Sequence, residues 1–295
     1  MNINIFIRVI LLMFVSVEAV AQFDTTQYTP GAVVVHSILR YGNAGTFYDS
    51  TGSTVSNQID PANGKIYISA FSKTHLDIQV SYAVNPKMLV YADIPFSVFS
   101  LEEDYTVNGQ RTTSKSSLSR SSVEYYQIGL EYLIRSRNTL RSSVLFNVTS
   151  APAFGNALTD TVYYPLLPAG AMIWELGLRS SIRFSSTELR GTVAFRMRTA
   201  RLANDFNIKA EVRMFALPNA ILSFYGNFVQ TLGGRKNIVF EKRFTSLQES
   251  YIALGAGLNL KLSDKLFGTA FYDVRAFGVN SWALGTFGLS AGYVL

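Results

Sequence analysis

The chain has no cysteine and only two histidines in 295 residues. It therefore forms no disulfide and offers no thiolate to a metal. Charge is sparse at 16%, and no run approaches the eighteen apolar residues of a membrane-spanning helix, although 48% of the residues are hydrophobic. No metal-ligand spacing, phosphate-binding glycine loop or nucleotide motif occurs, so no cofactor and no metal are expected. The net charge is +6. The arginines that carry it fall on alternating positions rather than in a cluster or on a helix face, which argues against nucleic acid as a partner.

What is present is alternation. From about Val123 to Leu295 the sequence is a series of stretches with hydrophobic residues at every second position. Ile128, Leu130, Tyr132 and Ile134 point one way, and Gln127, Gly129, Glu131 and Arg135 the other. A side-chain period of two is that of a β-strand with one apolar and one polar face. The first 21 residues read as a signal peptide: Arg8 is the basic start, Val9 to Val17 the apolar core, and Ala19-Val20-Ala21 the cleavage site before Gln22. No cysteine follows that site, which excludes lipoprotein processing. Many alternating strands behind an export signal predict an all-β, antiparallel transmembrane β-barrel.

Pattern alone predicts about twelve strands, with ten or fourteen left open: Ala32–Tyr41, Lys65–Val84, Met88–Tyr105, Ser122–Arg135, Thr139–Thr149, Ala171–Phe184, Glu188–Thr199, Asp205–Ala216, Ala220–Leu232, Glu249–Leu262, Leu266–Phe277 and Ser281–Val294. Residues 22–31 form a periplasmic segment that can enter the lumen, and 32–295 the barrel. Compact turns at Asn85–Lys87, Ser136–Asn138, Ser185–Thr187, Leu217–Asn219 and Ser263–Lys265 alternate with mostly longer connections, such as Gly42–Gly64, Thr106–Ser121, Ser150–Gly170 and Gly233–Gln248. Barrels keep short turns periplasmic and long loops outside.

The lipid face is expected to include Val90, Ile94 and Phe96, then Val144 and Phe146, then Trp174, Leu176 and Leu178, then Val193, Phe195 and Met197, then Leu254 and Leu258. Tyr126, Tyr132, Trp174, Tyr251 and Trp282 are candidates for the interfacial girdles. The lumen is expected to be lined by His75, Asp77, Asp93, Glu131, Arg135, Arg141, Glu175, Arg179, Arg196, Arg198, Lys209, Glu211, Arg213, Asp273 and Arg275, joined by Arg40, Gln79, Arg183 and Arg190. Such a lumen is either a hydrated path that favours anions or an interior closed by its own ion pairs. Glu175 is expected near Arg196 or Arg198, because a tight turn folds their strands together. Strand glycines, at 129, 255, 288 and 292 among others, read as points of close approach.

Catalysis is not expected. His36 and Ser37 are adjacent and so face opposite ways. His75 shares a face with Asp77, but Ser69 and Ser81 on the same strand are too distant, which leaves only a serine from a neighbouring strand.

Several stretches carry a resemblance. LDIQVSYAVNPKMLVYADIPF at 76–96 is a hairpin with an Ile-Pro-aromatic step. EYYQIGLEYLI at 124–134, SAPAFGNAL at 150–158 and YIALGAGLNLKLSDKLFGTAFYDV at 251–274 come after it. This order resembles the outer-membrane barrels of the phenol-degradation MetA-pathway family, and distantly the long-chain fatty-acid transporter barrels. The resemblance covers Leu76 to Leu295. It implies a channel that passes small hydrophobic or aromatic compounds. The Asn-Pro-Ala signature of the fatty-acid transporters is absent near the expected mature N-terminus, which argues against a fatty acid as the solute.

Together these readings predict a monomeric channel or transporter in the outer membrane of a Gram-negative bacterium, with lipid and a small solute as partners. Phe287, Tyr293 and Leu295 would present the alternating apolar end used by the barrel-insertion machinery. The rival reading is a structural or assembly barrel that binds a partner through its loops; a lipid-modifying enzyme comes third.

The absence of cysteine makes the orientation directly testable. Single cysteines at positions 116 and 86 should react differently with an impermeant maleimide on intact cells, 116 labelling and 86 staying protected. The opposite pattern would invert the barrel.

Overall fold

A computed structural model describes residues 29–48, 51–55, 57–59, 66–107, 110–136, 139–151, 171–199, 203–233, 249–279 and 281–295. Side chains are not described at 47, 55, 57–59, 66–71, 99–107, 110–120, 122 and 282. The expected signal peptide and most of 22–31 lie outside the described residues.

Twelve staves make the barrel: β1 Val33–Ala44, β2 Ile66–Asn85, β3 Met88–Val107, β4 in two pieces (Gln110–Val123 and Tyr126–Ser136), β5 Leu140–Ser150, β6 Met172–Phe184, β7 Thr187–Arg198, β8 Asn204–Leu217, β9 Ala220–Leu232, β10 Ser250–Lys261, β11 Leu266–Val279 and β12 Gly285–Val294. Each pairs antiparallel with the next, and β1 closes the ring by pairing with both β2 and β12. Closure satisfies the backbone of every stave from its neighbours, which a hydrocarbon surrounding requires. Four of the five expected compact turns fall between staves; Arg137 and Asn138 of the fifth lie outside the described residues. In the one between β6 and β7, Ser185 takes a φ of 45°, so two residues reverse the chain.

The outward face is apolar over the middle of the staves, with polar residues such as Ser142 and Ser180 towards the short-turn end. Ile128, Leu176, Leu178, Phe146, Trp174 and Leu254 are all exposed on the isolated chain, while the residues between them are buried or half-buried. Phe287, Tyr293 and Leu295 are exposed in the same way at the C-terminal end. Tyr251, a girdle candidate, lines the lumen instead: it shares the inward face of the buried Ala253, opposite to the outward Ile252 and Leu254. Trp282, another girdle candidate, is described only in its backbone.

Three connections differ from expectation. The polar stretch Thr106–Ser121 is not a loop. β3 and the first piece of β4 continue as a hairpin to Val107 and Gln110. Its Ser- and Thr-rich sequence shows no apolar alternation, as suits a ladder with no lipid to face. The connection after β1 carries short strands. Phe47–Tyr48 and Thr54–Val55 join Ser281–Trp282 in a small sheet, and Asn57–Ile59 pairs antiparallel with Ile66–Ile68 at the start of β2. The last expected strand is accordingly divided, and its barrel part starts at Gly285.

Pro95 explains the break in β4. Proline has no N–H to donate. Between the pairs Asp93–Gln127 and Phe96–Val123, β3 has two residues and β4 has three. This is a β-bulge, held where the Glu124 N–H donates to the Pro95 carbonyl at 3.0 Å. A second register shift, between Leu133 and Arg135, pairs Arg135 with Ser142. Ser142 shares the outward face with Val144 and Phe146, so Arg135 is exposed on the outside near the short-turn end and does not line the lumen.

Leu176 lies mid-strand and is 58% exposed on the isolated chain. Leu176→Arg should lower barrel stability in lipid by about 2–4 kcal/mol, read as a lower urea midpoint. Arg179→Leu, on the opposite face, should not act by that route. An unchanged midpoint for Leu176→Arg would reverse the faces of β6.

Candidate functional site

Inside the ring the polar positions of neighbouring staves meet in rows. One row runs Asn147, Glu175, Arg196, Asp205 across β5 to β8. Glu175 takes a hydrogen bond from Arg196 Nε at 2.5 Å and another from Asn147 Nδ2 at 2.7 Å. The expected pairing of Glu175 with Arg196 is thus found. Asp205 is fully buried and accepts from Arg198, with Arg196 3.8 Å away. Nearby, Glu131 receives Arg179 at 3.0 Å and the Ser143 hydroxyl at 2.6 Å.

Towards the short-turn end the charges form a checkerboard. Glu188 and Arg190 on β7 stand opposite Arg213 and Glu211 on β8. Arg213 is fully buried, with Nε 3.2 Å from Glu211 and Nη1 3.5 Å from Glu188; Arg190 reaches Glu188 at 3.0 Å. Two E-x-R steps on antiparallel neighbours place opposite signs across from each other. Arg141 faces inward near the same end, across from the buried Ser181.

The bulge at Pro95 builds the third cluster. It turns both Glu124 and Tyr125 inward. Glu124 then meets Lys73 Nζ at 2.5 Å and His75 Nδ1 at 3.0 Å. His75 Nε2 lies 2.5 Å from Asp77, which in turn holds Arg40 at 3.3 Å. The neighbouring strand also supplies a serine: Ser97 Oγ lies 2.7 Å from His75 Nδ1. The geometry resembles a nucleophile, base and orienter, but two features oppose that role. Ser97 and Asp77 are each 1% exposed, so no substrate reaches the hydroxyl. Each ring nitrogen also faces a carboxylate, which is satisfied only when both carry protons, and such a ring has no lone pair to take the serine proton.

Aromatic rings cover the inner wall where a neighbour is glycine. A Cβ on Gly129 would collide with the Tyr91 ring, one on Gly255 with Tyr225, and one on Gly288 with Phe271. The missing side chains let these rings lie flat instead of projecting into the lumen. The expected close approach therefore holds at these glycines, whereas Gly191 has open space around it.

Two cavities bear on these clusters. One, of about 490 Å³, lies against the β9-to-β1 wall and is lined by Lys73, His75, Asp273 and Arg275 among others. The other, of about 330 Å³, includes Asp93, Glu131, Glu175, Arg179 and Glu211. Arg40, Arg196 and Lys209 line both and mark where they meet. Lys73, Glu124, Glu188, Asp205, Glu249 and Tyr225 were not expected in the lumen. Glu188 could have been found by extending the alternation one step from Arg190, and Asp205 two steps from Lys209; Glu124 could not, because the bulge reverses its parity.

No protein-family model and no curated protein matches the chain. Its structure is similar to that of an outer-membrane channel from Pseudomonas putida F1, with a TM-score of 0.62 and 10% identity over 92% of this chain and 98% of that one. It is also similar to the NanC porin, with a TM-score of 0.51 and 7% identity over 88% of this chain and all of that one. A FadL homologue from Pseudomonas aeruginosa matches at a TM-score of 0.41, too distant to carry weight. At these identities the likeness establishes the barrel fold. Membership of the MetA-pathway family does not follow from it.

Arg213→Met leaves Glu188 and Glu211 buried without their shared cation. Breaking a buried pair typically costs about 3–5 kcal/mol, so the urea midpoint of the folded barrel should fall sharply. Adding Glu188→Gln and Glu211→Gln should restore part of it. An unchanged midpoint for Arg213→Met would show that the checkerboard is not a closed electrostatic unit.

Proposed function

We propose that the chain is an outer-membrane channel for passive passage of a small solute, whose body is apolar or aromatic. The observation that carries this reading is the pair of polar cavities meeting at Arg40, Arg196 and Lys209, in a lumen whose rings lie flat against the wall. Water-filled polar space inside a lipid-facing barrel conducts when it is continuous. In this reading the protein works as a monomer in a Gram-negative outer membrane, inserted through its apolar C-terminal strand, and has no enzymatic role. The second reading, a barrel closed by its own charges that binds a partner through its loops, is favoured by the ion pairs of β6 to β8 and by the full burial of Arg213.

Planar bilayers separate the two. Wild-type protein should give discrete conductance steps. Glu175→Ala combined with Glu211→Ala removes two lumen carboxylates and should enlarge the steps or shift the reversal potential towards anion selectivity. Folded wild type and double variant that both fail to conduct would leave the closed-barrel reading in its place.

A further inference from the structure

The ion pairs of the lumen are layered. In most of those that reach the cavities the carboxylate lies deeper than its cation. Side-chain exposure is 33% for Arg40 against 1% for Asp77, 26% for Lys73 against 8% for Glu124, and 30% for Arg196 against 0% for Asp205. At these pairs the acids form an underlayer in the wall and guanidinium and ammonium groups cover it; Arg275–Glu249 is the reverse, 20% against 36%. A solute therefore meets positive charge even where the pairs balance in number.

The two cavities differ in what this layering leaves exposed. Four carboxylates, those of Asp93, Glu131, Glu175 and Glu211, line the smaller one beside its cations. Among the described residues the larger is lined by five lysine and arginine side chains, by His75 and by one carboxylate, Asp273. That carboxylate accepts from the Tyr225 hydroxyl at 3.3 Å. Apolar surface is also present there. Phe271 lies flat over Gly288, and Tyr225 and Tyr251 support Lys209 and Arg275 on their faces at 4.3 and 3.9 Å. Rings beneath the cations hold them at the wall, so they line the space without filling it. The volume, about 490 Å³, suits a small molecule.

We propose that this cavity is a binding site for a small organic anion, a carboxylate on a flat apolar body, drawn in by the cationic layer and seated against the aromatic wall. The proposal deepens the channel reading by giving it a solute class. Binding is nevertheless measured separately from conduction, so each can fail alone.

The test is equilibrium dialysis of benzoate against the full-length folded barrel in detergent, with acetate and benzyl alcohol as probes of charge alone and ring alone. Benzoate should bind saturably at one site per chain and more tightly than either. Lys209→Gln should weaken it by about tenfold, the usual effect of losing one charge-assisted hydrogen bond. Asn227 lines only the larger cavity and stands opposite Lys209. Asn227→Asp should weaken benzoate similarly, which places the site there even if Lys209→Gln fails to fold. Absence of saturable binding, equal binding of benzyl alcohol or acetate, or insensitivity of benzoate to Asn227→Asp would each overturn the proposal. Saturable benzoate binding by a barrel that does not conduct would overturn the channel reading alone.

Discussion

Hydrocarbon offers no hydrogen bonds to a peptide backbone, and the structure is built around that lack. A sheet edge left open in lipid would strand a row of N–H and C=O groups at several kcal/mol each. The only remedy for a strand-built chain is a ring. β1 therefore pairs along one side with β2 and along the other with β12, from Val34–Val294 to Asn43–Gly285. Once the ring is closed, period-two alternation sends every other side chain to lipid and the rest to a confined lumen. A proline inside a membrane stave tests the rule. Pro95 cannot donate, and the chain answers with an extra residue in β4 whose N–H reaches the proline carbonyl.

Confinement then dictates how charge is held. A carboxylate in the wall is costly unless paired, and pairing is easiest directly across a ladder, where Cβ atoms are closest. Glu175 with Arg196 and Glu188 with Arg213 use this geometry. A carboxylate has a short side chain and stays at the wall, whereas arginine and lysine are long and reach past it. The acid underlayer and cationic surface result from these lengths. Flat rings over glycines work in the opposite sense, since they keep bulk out of the lumen. Charge and glycine together leave polar space where side chains alone could have filled a small barrel.

Much of the barrel is legible in the sequence. Alternation in stretches such as 126–134 and 172–182 reveals a lipid face directly, because every apolar residue must satisfy the same lipid. The twelve staves, the short turns and the Glu175–Arg196 contact depend only on period and turn position, which are local. The inner ends are less legible. Arg135 and Glu124 both sit beside register shifts. One added or skipped residue reverses the facing of every later position in its strand, and nothing in composition marks the skip. The hairpin beyond 106 escapes notice for a different reason: outside lipid a ladder needs no apolar face.

The sequence by itself determined that the chain is a lipid-facing barrel of antiparallel strands, because a repeating two-residue pattern interacts with a uniform solvent and needs no knowledge of neighbours. Only the tertiary structure decided what the lumen is. It brought Lys73, His75 and Glu124 together across a bulge, seated Tyr225 on Gly255, and divided the interior into a balanced cavity and a cationic one. Those outcomes depend on register between strands far apart in the chain. Register is fixed by ring closure and by the positions of a few bulges, not by any one strand's own pattern.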